Sequence, residues 1–259
     1  IFLYIINFYQ TKLEKNFLPY GKQDISEEDI KSVNDVLKSN FLTQGTVHKD
    51  FEKAISAKVK SKYCVSFNSA TSGLHVACLS LGLGKGDVLW TTPNTFVASA
   101  NCAIYCGAQI DFVDIEESTG LISIELLESK LKIASKIGKL PKILIPVHLA
   151  GSSCDMPSIH KLSIKYGFKI IEDASHAIGG TCNNFNVGSC EYSDITVFSL
   201  HPVKIITSAE GGLATTNSES ISTLMRTLSN HGITKDHKIF IGNNFESWRY
   251  EQQTLGFNY

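Results

Sequence analysis

The feature that most constrains the fold is a regular alternation of short apolar runs with segments of helical periodicity, which starts near residue 63. Six runs carry the pattern: YCVSF, DVLWTT, QIDFVDI, KILIPVHL, FKIIED and DITVFSL. Between them the spacing of apolar residues predicts helices at about 71–81, 96–105, 123–135 and 156–166. Strands and helices that alternate in this way form βαβ units. We therefore predict an α/β fold, a three-layer α/β/α sandwich with a mainly parallel sheet covered on both faces.

Two further helices are predicted before the first strand. One starts at Ser26, where the spacing to Asp29 matches a capping box, and the other covers about 48–59 after the turn TQGT. We expect a single α/β domain over residues 18–245, preceded by an extension at 1–17 of unclear role. The first residue is Ile and the final segment is GFNY, so we expect the chain to be a fragment of a longer protein.

Composition argues against several classes of function. The 24 basic and 25 acidic residues give a net charge of −1, without the basic excess of nucleic-acid-binding proteins. The apolar stretch in residues 1–16 has no basic residues before it and no cleavage site after it, and it is too short to span a bilayer. We therefore expect neither a signal peptide nor a membrane segment. The seven cysteines lack zinc-ligand spacing, which indicates reduced, mostly buried side chains, no metal site and a cytoplasmic protein.

Polar residues follow the apolar runs at the points where the strands are predicted to end. The carboxyl ends of parallel strands meet at one edge of a sheet, and ligands bind there. We therefore expect one site to be formed by segments 68–73 and 94–96 together with His148, Asp173, His176, Ser199, His201 and Lys204.

The segment SFNSATSGLHVACL predicts a strand, a turn of small hydroxyl residues and a helix. The amino end of a helix offers free N–H groups and positive dipole character, and Ala70, Thr71 and Ser72 permit close approach of a phosphate. The segment lacks the Walker and GxGxxG spacings. An ordinary helix cap with Ser69 as the N-cap explains the same residues, so both interpretations stay open.

Three residues at this edge each allow a structural and a functional interpretation. Asp173 can cap the following helix, or it can keep a heterocyclic ring nitrogen protonated, as a pyridinium requires. Phe96 fits a core aromatic or a plate against which a planar ring stacks. His176 fits a satisfied polar residue or a support behind the site. Taken singly, the structural interpretation of each residue is favoured.

Lys204 favours the functional interpretation when it is considered together with these residues. Lysine is among the residues least often buried, yet Lys204 lies between two apolar stretches. A lysine that forms a Schiff base must be unprotonated part of the time, which partial burial and nearby positive charge achieve. A phosphate-binding turn, a stacking aromatic, a strand-end Asp and a loop Lys are together the contacts that pyridoxal phosphate needs.

Four segments resemble the signature segments of the DegT/DnrJ/EryC1/StrS family of sugar aminotransferases: EDASHAIGG, FSLHPVKIITSAEGG, FNSATSGLH and TTPNTFVASANC. The similarity extends over roughly residues 18–259 in one collinear order. It implies the large domain of the fold-type I enzymes, which depend on pyridoxal 5'-phosphate. It also implies that residues 246–259 begin a link toward a smaller C-terminal domain that this chain lacks.

The resemblance implies a role for each matching position. Lys204 matches the catalytic lysine, which binds the cofactor covalently and carries protons, while Asp173 pairs with the pyridine nitrogen and Phe96 stacks on the ring. Ala70, Thr71 and Ser199 match residues that bind the cofactor phosphate, and His176 matches one near its 3-hydroxyl. Positions that match contacts to the sugar nucleotide are Tyr20, Asn40, Phe41, Leu42 and Thr43. Asn258 matches an asparagine that reaches the cofactor phosphate across a dimer interface. The last match implies a homodimer with shared active sites.

Within the family, the segments LPYGKQDIS, SNFLTQG, LAGSSCDM and SLHPVKIIT are most similar to the pseudaminic acid branch. That similarity implies amino transfer from L-glutamate to UDP-4-keto-6-deoxy-N-acetyl-β-L-altrosamine, for cell-surface polysaccharide and flagellin glycosylation. The alternatives are an aminotransferase for another nucleotide-linked keto-sugar, or a non-catalytic homologue that binds pyridoxal phosphate or a sugar nucleotide. In the dehydratase branch of the family a histidine replaces the lysine, and Lys204 argues against that branch.

Overall fold

The computed structural model describes residue 19 and residues 21–241, 246 and 248–259. The helices of this part of the chain are α1 (Glu27–Leu37), α2 (Thr46–Val59), α3 (Ala70–Ser80), α4 (Ala98–Tyr105), α5 (Ile124–Lys136), α6 (Met156–Tyr166) and α7 (Glu219–Ser229). Short 3-10 turns cover Leu149–Gly151 and His237–Ile239. The predicted extension at 1–17 lies outside the described residues.

In chain order the strands are β1 (Tyr63–Phe67), β2 (Val88–Thr91), β3 (Gln109–Phe112), β4 (Ile143–Ile145), β5 (Lys169–Asp173), β6 (Thr181–Cys182), β7 (Phe185–Asn186), β8 (Ile195–Ser199), β9 (Gly212–Thr216), β10 (Ile233–Thr234) and β11 (Glu251–Gln252). Seven of them form the central sheet, in the order β1-β9-β8-β5-β4-β2-β3. Strands β3, β2, β4, β5 and β8 are parallel, and β9 is antiparallel to β1 and β8. The predicted α/β fold with a mainly parallel sheet is confirmed.

The helices begin where local capping chemistry starts them. Ser26 Oγ accepts the amide of Asp29, and the Asp29 carboxylate accepts the amide of Ser26 in return, so the predicted capping box is present at α1. Ser123 and Asp155 cap α5 and α6 through their side-chain oxygens. Helix α4 begins at Ala98, two residues later than predicted.

Alternate residues of the central strands face two separate apolar layers. In β4, Ile143 and Ile145 pack in the core formed with α3, α4 and α7, whereas Leu144 packs in the core formed with α5 and α6. All three side chains are fully buried, which explains why the strand is apolar at every position. The strand is shorter than the predicted run because Pro146 follows it and has no amide hydrogen for the ladder.

Strand β9 determines where the candidate site lies. Its first residue, Gly212, is in register with Phe67 and Ser199, the last residues of the neighbouring strands β1 and β8. The connection from β8 to β9 therefore starts and ends at the same edge of the sheet. Lys204 lies on that connection, so the antiparallel strand keeps it beside the carboxyl ends of the parallel strands.

The cysteines are unpaired, and five of the seven are buried, as predicted. Within the described ranges, the structure contains no helix with the length and apolar character needed to cross a membrane.

Candidate active site

A cavity of about 370 Å³ opens at the carboxyl edge of the sheet. Its walls come from the starts of α3 and α4, from the loops after β4 and β5, and from the connection between β8 and β9. Among its lining residues are seven of the predicted cofactor residues: Ala70, Thr71, Phe96, Asp173, His176, Ser199 and Lys204. The topology of the sheet thus brings together side chains that are far apart in the chain.

The start of α3 forms the part of the wall that suits a phosphate. Ser69 is the N-cap, and its Oγ accepts the amide of Ser72 at 3.1 Å. Ala70 and Thr71 are the first helical residues, whose amides have no partner within a helix, and both residues line the cavity. A capped helix start with free amides is also suited to bind an anion, so the two interpretations left open by the sequence are compatible.

Gly212 allows β9 to pass directly beside this turn. A Cβ atom at Gly212 would overlap backbone atoms of Ser69 and Ala70. Since every other residue carries that atom, the close approach of the strand to the start of α3 requires glycine here.

Asp173 ends β5 and presents a buried carboxylate to the cavity, with only 4% of the residue exposed. Its Oδ2 accepts a hydrogen bond from Ser99 Oγ at 2.5 Å. Its Oδ1 accepts one from Ser175 Oγ at 2.6 Å and another from the Ser175 amide at 3.2 Å. Hydrogen bonds to both oxygens fix the orientation of the carboxylate, so Asp173 is suited to pair with a protonated ring nitrogen.

The amine of Lys204 contacts a histidine whose proton position is fixed. Lys204 Nζ lies 2.7 Å from His176 Nε2, and the amide of Ala150 donates to His176 Nδ1 at 3.2 Å. Because Nδ1 accepts, the proton of the neutral ring is on Nε2. That N–H donates to the amine, which accepts only when it is unprotonated. The geometry therefore favours the neutral form of the Lys204 amine.

The electrostatic environment favours the same protonation states. Burial lowers the pKa of Lys204, and the charge of Asp173 opposes that shift. Burial also lowers the pKa of His176, as does the charge of Lys204, with Asp173 again in opposition. Both groups are neutral over a wider pH range than on a protein surface. A neutral lysine amine is the form that attacks a carbonyl carbon.

Two further predicted residues have side chains available to a ligand. Phe96 lies at the mouth of the cavity with 73% of its surface exposed, which excludes the core interpretation and leaves its ring free to stack. Ser199 ends β8, and its Oγ accepts the amide of His201 at 3.3 Å. The hydroxyl proton of Ser199 therefore remains for a ligand in the cavity.

His148 lines the wall, but both of its ring nitrogens are engaged away from the cavity. Its Nε2 lies 2.7 Å from Glu172 Oε2, and its Nδ1 accepts the amide of Cys154 at 3.2 Å. Glu172 also accepts hydrogen bonds from Ser193 and Thr196. Through these hydrogen bonds His148 connects the loop after β4 to strand β5, which is a structural role.

His201, also predicted at this edge, lines the cavity. Of the residues predicted to contact the sugar nucleotide or a partner subunit, those that the structure describes do not line it. Four of them are exposed on the segment between α1 and α2: Asn40, Phe41, Leu42 and Thr43. Asn258 is exposed, and its carbonyl accepts the side-chain amide of Asn68 at 3.4 Å, next to the phosphate turn. Tyr20 falls outside the described residues. The roles of these residues toward a sugar nucleotide or a partner subunit stay predictions.

The sequence interpretation missed Ser99, Ser175 and Ala150. Ser99 lies one helical turn after Thr95, and the spacing of two hydroxyl residues at a helix start is a signal that would have found it. Ser175 follows Asp173 by two residues, a common spacing for local hydrogen bonds to a carboxylate. Ala150 gives no signal in sequence, because its left-handed φ of 53° is a conformation usually adopted by Gly or Asn.

A model of the DegT/DnrJ/EryC1/StrS aminotransferase family matches residues 23–259. The chain belongs to this family. It is 36% identical over 243 residues to the UDP-4-amino-4,6-dideoxy-N-acetyl-β-L-altrosamine transaminase of Campylobacter jejuni. It is also 36% identical over 242 residues to the spore coat polysaccharide biosynthesis protein SpsC of Bacillus subtilis. Both alignments cover 93% of this chain and 60% of the relative.

Among solved structures, Helicobacter pylori PseC, an aminotransferase involved in the biosynthesis of pseudoaminic acid, superposes with a TM-score of 0.82 at 32% identity. That superposition covers 93% of this chain and 61% of PseC. The chain therefore spans about three fifths of the length of the curated relatives that it matches.

Aminotransferases of the DegT/DnrJ/EryC1/StrS family depend on pyridoxal phosphate, which confirms the cofactor prediction. The residues of the cavity fit this group. Free amides at the start of α3 suit its phosphate, the Asp173 carboxylate suits its ring nitrogen, and the neutral amine of Lys204 suits its carbonyl carbon.

Proposed function

We propose that this chain is the cofactor-binding part of a pyridoxal-phosphate-dependent aminotransferase that acts on a nucleotide-linked keto-sugar. The observation that carries the proposal is the Lys204 amine, which contacts His176 in the same cavity as the Asp173 carboxylate. A lysine whose pKa is lowered by burial, beside a buried carboxylate in a cleft, is typical of a catalytic site.

Each residue of the cavity has a distinct task in this reaction. Bound pyridoxal phosphate supplies a ring that accepts electrons from a bond at the amino carbon. The first amides of α3 and the Ser199 hydroxyl would hold the phosphate, Asp173 would pair with the ring nitrogen, and Phe96 would stack on the ring. Lys204 Nζ would carry the proton that leaves the amino carbon of the donor, as a general base and then as a general acid.

We propose L-glutamate as the amino donor and UDP-4-keto-6-deoxy-N-acetyl-β-L-altrosamine as the acceptor. In the net exchange the amino group moves to the keto carbon of the sugar, and glutamate becomes 2-oxoglutarate. The name of the Campylobacter jejuni relative supports this acceptor. SpsC is equally similar to the chain, so another nucleotide-linked keto-sugar is the alternative. The product would serve cell-surface polysaccharide or flagellin glycosylation, with the reaction in the cytoplasm.

We also propose a homodimer with shared active sites. Apolar side chains are exposed around the mouth of the cavity, among them Phe96, Val97, Val203 and Ile205. A cluster of exposed apolar side chains of this kind is typical of a protein interface. A two-fold contact across it would cover these residues and bring Asn258 of one chain toward the cavity of the other.

The two half-reactions test the proposed function. Glutamate should abolish the visible absorption band of the lysine-bound cofactor, and a keto-sugar nucleotide should restore it, fastest for the proposed acceptor. Faster recovery with a different keto-sugar corrects the substrate but not the reaction class. If the chain binds the cofactor yet responds to no amino donor, transamination is wrong and the non-catalytic alternative is favoured. Lys204→Arg, which keeps a long basic side chain but lacks the amine that bonds to the cofactor, is the control that should show no band.

A further inference from the structure

Two hydroxyl groups at the start of α4 lead to the carboxylate of Asp173. Ser99 is fully buried, and its Oγ lies 2.5 Å from Asp173 Oδ2. Thr95 Oγ1, on the wall of the cavity, lies 2.8 Å from Ser99 Oγ. The three side chains therefore form a continuous row from the cavity wall to the carboxylate.

The direction of each hydrogen bond in this row follows from the number of protons. An ionised carboxylate only accepts, so the single hydroxyl proton of Ser99 is donated to Asp173. Ser99 Oγ then accepts the hydroxyl proton of Thr95. Hydrogen bonds aligned in this way polarise one another, which strengthens the bond that ends on the anion.

The two oxygens of Asp173 differ in how they are held. Oδ1 has two donors, the hydroxyl and the amide of Ser175. Among the described residues, the donor to Oδ2 is the Ser99 hydroxyl. Removal of the Ser175 hydroxyl leaves the amide in place, whereas removal of the Ser99 hydroxyl leaves Oδ2 buried without this donor.

We propose that Ser99, supported by Thr95, is a positioning residue that holds the Asp173 carboxylate in a fixed orientation, and thereby sets the protonation of the cofactor ring nitrogen. This inference rests on the proposed function, because it assigns Asp173 to that nitrogen. Ser99 does not touch the cofactor and acts through the carboxylate. Without its hydrogen bond the buried Oδ2 loses this donor, and a carboxylate that can turn away from the ring stabilises the ring's positive charge less well.

The decisive measurement is the ¹⁵N NMR signal of ring-labelled pyridoxal phosphate bound to the chain, since its shift reports directly whether the nitrogen is protonated. Ser99→Ala should move the signal from the protonated position toward that of the unprotonated ring. It should also weaken cofactor binding by roughly tenfold, the value of one hydrogen bond to a charged group. Thr95→Val keeps the shape of the side chain and should give a smaller shift in the same direction.

Thr91→Val is the matched control. Thr91 is also fully buried, and its hydroxyl donates to the carbonyl of Ile145 at 2.8 Å instead of to Asp173. It should lower thermal stability without moving the ¹⁵N signal. Ser175→Ala should have a smaller effect on that signal than Ser99→Ala, because the amide remains.

The outcomes separate this inference from the proposed function. If the unchanged chain binds no cofactor through Lys204, both fail. If it does bind, and Ser99→Ala and Thr95→Val leave the ¹⁵N signal at the position of the unchanged chain, only the role of Ser99 is overturned. Should Ser99→Ala not fold, the Thr95→Val result decides the question alone.

Discussion

The backbone amide of Ala150 fixes the tautomer of His176, the histidine that contacts the amine of Lys204. It occupies His176 Nδ1, which leaves the ring proton at Nε2, facing Lys204 Nζ. If the Lys204 amine were protonated, its N–H groups would face the N–H of His176 Nε2. If the His176 ring were protonated, its Nδ1–H would face the amide N–H of Ala150. Burial lowers the pKa of both groups, so it favours the neutral forms as this geometry does.

His176→Ala should raise the pKa of Lys204 toward that of an exposed lysine, about 10.4. The substitution removes the hydrogen bond and admits water, which solvates the charged amine. Capture of pyridoxal phosphate requires the neutral amine, so its rate rises with pH through the Lys204 pKa. Stopped-flow absorbance on cofactor-free protein should therefore give a midpoint at lower pH for the unchanged chain than for the variant.

His160→Ala is the control for this pH profile, because His160 contacts the carbonyl of Tyr192 and does not line the cavity. It should leave the midpoint where it is. Equal midpoints for the unchanged chain and His176→Ala would show that His176 does not hold the amine neutral.

At the scale of single residues, the sequence predicted the reacting groups better than the groups that control them. Asp173 could be found because it is a charged residue at the end of an apolar strand, and Lys204 because it is a charged residue between two apolar stretches; both patterns are unusual. Ser99 is an ordinary polar residue in a helix, and its role depends on a contact between α4 and β5 that no local pattern reveals. Ala150 acts through its backbone, which the side chain does not encode.

Among the elements, β9 and α3 depend on each other at a single position. Gly212→Ala should separate the strand from the Ser69–Ala70 turn, because the added Cβ would overlap their backbone. We expect a loss of about 1–3 kcal/mol in the free energy of unfolding, typical of overpacking. We also expect weaker binding of pyridoxal phosphate, since the displaced turn carries the phosphate amides. Denaturant unfolding and cofactor titration measure the two effects.

Gly84→Ala is the matched substitution, because a Cβ there would meet no atom within 4 Å. It should change neither stability nor cofactor affinity appreciably. If Gly212→Ala is as stable as Gly84→Ala and binds the cofactor equally well, the close approach of β9 to α3 contributes neither to stability nor to cofactor binding.

The elements themselves were largely predictable, because their signals are local. Ser26, Ser69 and Ser123 each mark a helix start with a capping side chain, and β1 matches its apolar run residue for residue. The antiparallel direction of β9 was not predicted. The direction of β9 depends on its position between β1 and β8, which are more than a hundred residues apart in the chain, and the sequence of β9 does not indicate it.

At the scale of the whole molecule, the shared-site dimer can be tested by mixing variants. Lys204→Ala lacks the reacting amine, and Asn258→Asp should weaken cofactor binding in the other subunit by repelling the phosphate. In a mixed dimer one site then combines an intact Lys204 with an intact Asn258. Random exchange of the two variants should restore about a quarter of the sites, as expected for a two-fold dimer.

The absorbance of the lysine-bound cofactor counts the restored sites, and each variant alone provides the baseline. No gain on mixing, with dimers shown by sedimentation, would mean that each site is built from one chain. A monomer in sedimentation would contradict the proposed interface around Phe96 and Ile205.

The central claim is that Lys204 is the amine that holds pyridoxal phosphate in this cavity. The most direct measurement is reduction of the chain with borohydride after incubation with the cofactor, followed by peptide mass spectrometry. Reduction makes the bond between lysine and cofactor permanent, so the added mass identifies the residue. We predict the modification on the peptide that contains Lys204 and its loss in Lys204→Arg. Modification at another lysine, or equal labelling in Lys204→Arg, would contradict the account.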